Sequence, residues 1–182
     1  RHGGDRPPAP AVWRHHAKQG GSDPGAGLCP VWLQAVRFNF RGVGASAGVY
    51  DEGRGEAADM LDVIAQVAPT GLLALAGFSF GAFVTSHALQ QLGESRVPDK
   101  IVLVGTAASR FAVAPVTHAL HERTLVLHGE LDDTVPLASV MDWARPQSLP
   151  VTVIPGVEHF FHGQLPLLKS LVVRHLLAPV QA

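Results

Sequence analysis

A single cysteine, Cys29, leaves nothing in the chain for it to form a disulfide with. Charge is also scarce: 16% of residues are charged and the formal net charge is −1. There is no run of lysine and arginine of the kind that holds nucleic acid or an anionic membrane, so neither is expected as a partner. No apolar stretch approaches the roughly 18 residues of a membrane span. Runs such as Ile101-Val102-Leu103-Val104 have the length of buried strands. The N-terminus lacks the layout of a secretory signal, and a cytoplasmic protein is the expectation. No Walker pattern is present. Arg41-Gly42-Val43-Gly44 lacks the third glycine and the helix of a dinucleotide fingerprint. No histidine–cysteine cluster has metal-ligand spacing, so neither a metal nor another cofactor is expected.

What the chain does have is apolar content. Hydrophobic residues make up 47% of 182, enough for one domain with a sizeable core. Composition divides the chain near residue 34. Residues 1–33 are rich in Gly, Pro, Arg and His and show no periodicity. From Gln34 onward, strand and helix patterns alternate. Ala35 to Phe40 reads as a strand, Glu56 to Val67 as an amphipathic helix, and Leu72 to Ala76 as a strand. Gly81 to Leu92 reads as a helix. Strands follow at Lys100 to Val104, Arg123 to Leu127 and Val151 to Ile154. Helices are expected at Pro136 to Ala144 and Leu165 to Leu177. Such alternation calls for an α/β fold, a mostly parallel sheet with helices on both faces. Ligands bind such sheets at the carboxyl ends of the strands.

Three motifs fall at such ends. Gly77-Phe78-Ser79-Phe80-Gly81 follows a strand and opens a helix. A sharp turn there exposes the serine hydroxyl, and the N–H of Phe80 is one candidate oxyanion donor. His128-Gly129-Glu130-Leu131-Asp132-Asp133 follows the next strand but one. A carboxylate there can orient a histidine and stabilise its charged form. Asp132 is the first choice and Asp133 the alternative; a plain helix-capping loop would also explain Asp133. Gly156-Val157-Glu158-His159-Phe160-Phe161-His162 follows the last strand. A histidine there could act as general base toward Ser79. His159 is preferred and His162 is the alternative. Ser79, Asp132 and His159 run in the chain order of an α/β-hydrolase triad.

Residues 34–182 resemble the compact, lid-less bacterial α/β-hydrolases related to dienelactone hydrolases and small carboxylesterases. The matching text is Val36 to Gly44, Gly77 to Gly81, His128 to Pro136 and Gly156 to Phe161. The resemblance implies an α/β-hydrolase fold with Asp132 as triad acid and His159 as triad base. It implies a serine hydrolase that cleaves a small ester or thioester through an acyl-enzyme. A non-catalytic remnant or interaction module on the same fold is the alternative. A small acyl compound is the expected partner. The short gap between Val104 and Arg123 leaves no room for a large lid.

Residues 1–33 fall outside the resemblance. Family members carry there a strand, a loop resembling His-Pro-His-Pro-Leu-Tyr-Gly-Gly and a helix. The loop implies the second oxyanion N–H. Degenerate codons for Pro7 to Leu28, read one base later, permit His-Pro-His-Pro-Leu-Tyr-Gly-Gly-Thr-Met-Gln-Asn-Lys-Val-Val-Gln-Thr-Leu-Ala-Arg-Ala without a break. An out-of-frame segment over 1–33 is therefore expected, followed by an intact domain over 34–182. The N-terminal strands should be missing or disordered, and the second oxyanion donor lost.

Overall fold

A computed structural model describes residues 10–15 and 33–179. Six strands form one sheet in the order β2-β1-β3-β4-β5-β6. They are β1 (Ala11–His15), β2 (Leu33–Arg37), β3 (Leu73–Phe78), β4 (Lys100–Val104), β5 (Thr124–Gly129) and β6 (Val151–Ile154). From β3 to β6 the neighbours run parallel. The helices are α1 (Arg54–Val67), α2 (Phe80–Leu92), α3 (Leu137–Ala144) and α4 (Leu165–Leu177). This is the mostly parallel, helix-covered sheet of the α/β-hydrolase fold.

The period of two along the strands builds two cores. Ile101 and Leu103 face one side with Leu73, Leu75 and Val126, where α1, α2 and α3 cover them. Val102 and Val104 face the other side with Leu127 and Ile154, where α4 covers them. All of β4 is buried, as a central parallel strand must be.

One expectation is overturned. Residues 1–33 were expected to lack an ordered central strand, yet β1 fills the slot between β2 and β3. It pairs antiparallel with both, Ala11 opposite Arg37 on one side and opposite Ala76 on the other. The cause is the vacancy itself. Two strands without a shared partner would leave rows of unpaired backbone groups, and pairing to them requires only an extended backbone. Val12 then enters the core with no exposed surface. The expected irregularity of residues 1–9 and 16–32 lies outside the described residues.

The direction of β1 has a consequence. Its end, at Arg14, lies beside Leu73, the start of β3. The strand therefore ends at the edge opposite Ser79. Pairing also moves β2. It spans 33–37 where 35–40 was expected, because the ladder stops at Ala11 and the preceding Pro10 has no N–H to extend it. The remaining boundaries agree with expectation to within about two residues.

Candidate active site

Ser79 sits between β3 and α2 with φ 53° and ψ −118°. A left-handed backbone at a non-glycine residue stores strain of order 1–3 kcal/mol and persists only where its surroundings enforce it. Two features enforce it here. The Ser79 N–H donates to the Val104 carbonyl at 2.8 Å, tying the turn to β4. Strand and helix also approach so closely that a Cβ on Gly77 would lie 2.2 Å from the Gly81 carbonyl oxygen. Phe80 opens α2, so its N–H has no acceptor within the helix.

The loop after β6 brings His159 to this turn. Its Nε2 lies 3.1 Å from the Ser79 Oγ, and its Nδ1 lies 2.6 Å from Asp132 Oδ2. The imidazole is 2% exposed and rests on the Phe78 ring, with 4.8 Å between centroids. Phe161, buried in the α4 core beside Val157, anchors the loop.

Asp132 follows β5 and is 5% exposed. Burial pushes its carboxyl toward the neutral form. The hydrogen bonds from His159 and Val135, with the two neighbouring imidazoles, outweigh that and hold its pKa below the usual aspartate value. Its Oδ1 accepts N–H bonds from Thr134 at 3.0 Å and Val135 at 2.7 Å. This loop can lie against the loop after β6 because residue 129 is glycine: a Cβ there would sit 2.3 Å from the Val157 carbonyl oxygen.

The two alternatives point elsewhere. Asp133 is exposed, and its carboxylate is within 3.4 Å of the neighbouring Thr134 hydroxyl. His162 is exposed and pairs with Glu158 at 2.9 Å. Ser79, Asp132 and His159 are the three that come together.

Several contributors were not visible in the sequence. His128, with no exposed surface, faces the Val135 carbonyl through Nε2 at 2.9 Å, and that nitrogen is 3.6 Å from Asp132 Oδ2. Burial lowers its pKa and keeps it neutral. The His-Gly that opens its loop was the available signal. Glu56 is fully buried and accepts N–H bonds from Asp51 at 3.0 Å and Gly53 at 2.8 Å. Arg41 grips Asp59 of α1 through two bonds of 2.8 and 2.7 Å. Both fix loops that line a cavity of about 380 Å³ containing Ser79 and Phe80. Phe40, Val43, Arg110 and Phe111 line it as well. Among the described residues no cluster of histidine, cysteine and carboxylates could hold a metal ion, and no helix is long and apolar enough to cross a membrane.

No protein-family model matches the chain. An uncharacterized protein of Rickettsia prowazekii is 28% identical, with 69% of this chain and 57% of that protein aligned. A solved α/β serine hydrolase without a lid, from Xanthomonas campestris, is 31% identical with a TM-score of 0.64, covering 79% of this chain and 64% of that one. This chain thus spans less than two thirds of the length of either protein. The structure of an α/β serine hydrolase homologue from Coxiella burnetii is 31% identical with a TM-score of 0.58, covering 80% of this chain and 68% of that one. With its sheet, its strand-end loops and these likenesses taken together, the chain belongs to the family of lid-less α/β serine hydrolases.

Proposed function

We propose that the chain is a serine esterase or thioesterase in which Ser79 is the nucleophile. The observation that carries this reading is the continuous line of contacts from Asp132 to His159 at 2.6 Å and on to Ser79 at 3.1 Å. His159 Nε2 takes the Ser79 hydroxyl proton as Oγ attacks the acyl carbonyl. Negative charge then develops on the carbonyl oxygen beside the start of α2, where the Phe80 N–H is the donor. The tetrahedral intermediate collapses, His159 protonates the departing alkoxide or thiolate, and an acyl-Ser79 ester remains. Water, deprotonated by His159, attacks that ester, releases the acid and restores the serine. Asp132 holds the imidazole with Nε2 toward Ser79 and stabilises its charged form.

A fluorophosphonate probe tests this reading. Wild-type protein should be labelled and Ser79→Ala should not. Folded wild-type protein that resists the probe would instead favour a non-catalytic remnant, a reading supported by the exit of β1 away from Ser79. We also propose that residues 1–33 are translated out of frame. The nucleotide sequence decides this: a shifted frame that does not encode the His-Pro-His-Pro-Leu-Tyr-Gly-Gly loop rejects it.

A further inference from the structure

The Ser79 cavity adjoins a second one of about 680 Å³ that does not reach Ser79. Tyr50, Arg110 and Phe111 line both and form the partition between them. The charges around this joint site are nearly all matched. Arg41 is held by Asp59, and Arg54 by Asp51 and Glu52. Glu56 is satisfied by two backbone N–H groups. Arg110 is the exception: it is exposed, and its guanidinium has no hydrogen-bond or ion-pair partner among the described residues.

An unmatched guanidinium on the shared wall, beyond an apolar chamber that holds the serine, has the layout of a selectivity site. A substrate with its reacting carbonyl at Ser79 would lay apolar atoms along Phe40, Val43 and Phe111, and its far end would meet Arg110. The planar fork of a guanidinium suits a carboxylate, which it can take with two parallel bonds.

We propose that Arg110 selects acyl substrates carrying a carboxylate at the end remote from the scissile carbonyl. This deepens the esterase reading and rests on it. Arg110 is a specificity-determining residue and takes no part in proton transfer.

The test uses two esters of equal acyl length, mono-4-nitrophenyl glutarate and 4-nitrophenyl valerate. Wild-type kcat/KM should favour the glutarate about tenfold or more at low salt, as a charge-assisted hydrogen bond allows, and added salt should shrink the preference. Arg110→Gln should cut the glutarate-to-valerate ratio at least tenfold, mainly through KM, and Arg110→Lys should restore part of it. Equal turnover of the two esters by the wild type would overturn the proposal, and so would an equal loss on both in Arg110→Gln. Binding separates this claim from the reading of Ser79. Calorimetry with free glutarate on Ser79→Ala should show binding that disappears in the double variant Ser79→Ala/Arg110→Gln. If that binding is seen but the wild type cleaves no ester, the Arg110 claim stands and the esterase reading falls. If glutarate binds neither variant, the Arg110 claim falls whatever the turnover.

Discussion

On one face of the sheet, α1, α2 and α3 bury Met60, Ile64, Val84 and Val140 against Leu75, Ile101 and Leu103. On the other, α4 covers Val102, Val104 and Ile154 without burying any of its own residues fully. Leu165 and Leu177 of α4 are 56% and 62% exposed. An apolar gap of about 180 Å³ remains between that helix and β1, β3 and β4, where a finished interior would be close-packed. The site draws on both faces. Ser79 is set by α2 and the dense core, whereas His159 hangs on a loop whose anchors, Val157 and Phe161, belong to the thin one. Ser79 should therefore be the firmly held partner and His159 the vulnerable one.

Replacing residues 7–28 by the shifted-frame segment would exchange β1 for the loop and helix that the resemblance implies, and the loop would bring a second oxyanion donor. We expect the kcat of that chain to exceed that of the present one by about 10²–10³-fold, the usual worth of one such donor. Steady-state kinetics check this.

Phe161→Ala attacks the anchor of the His159 loop. Truncating a buried phenylalanine costs about 3–5 kcal/mol, and a small displacement of His159 can cost about 10²-fold in rate. Denaturant unfolding together with kcat should show both losses. Leu103→Ala, on the dense face, should cost about 2–5 kcal/mol. Its residual folded fraction should keep kcat within a few-fold, because the core under Ser79 has more neighbours to hold it. Leu168→Ala, on half-buried α4, should cost less than Leu103→Ala in the same unfolding assay.

What could be read from the sequence follows the same division. Ser79, Asp132 and His159 were legible because each lies in a short motif just beyond a strand whose apolar run is unmistakable. Phe80 was read from the same motif as the residue after Ser79; the structure starts α2 there, one residue earlier than the expected Gly81. Strand β1 was not legible, since the bonds that recruit it are backbone bonds and carry almost no side-chain signature. Nor were the grip of Arg41 on Asp59 and the place of His128 behind Asp132, which depend on how distant segments meet. Glu56 read as the start of a helix; that its carboxylate also pins residues 51 and 53 depends on the loop's path.

The smallest expected effects come from pH. Asp132 has a folded pKa below its unfolded one, so its carboxylate stabilises the fold above about pH 4, the ordinary aspartate value. That contribution disappears as pH falls through the lower folded value, and Asp132→Asn should flatten the acid limb of the stability curve. His128 also has a depressed pKa. Below about pH 6.5, the ordinary histidine value, the unfolded chain takes up a proton that the fold refuses. Stability should therefore decline there, and less steeply in His128→Phe, as urea midpoints against pH would record.

In the proposed mechanism Ser79, activated by His159, forms a covalent bond to the acyl group. Intact-protein mass spectrometry after mixing with a 4-nitrophenyl ester and quenching in acid tests it most directly. The expected result is a mass gain of one acyl group, mapped by digestion to the peptide containing Ser79, abolished in Ser79→Ala and greatly slowed in His159→Ala. Product released with no acyl-protein at any time, or an adduct that persists in Ser79→Ala, would contradict it.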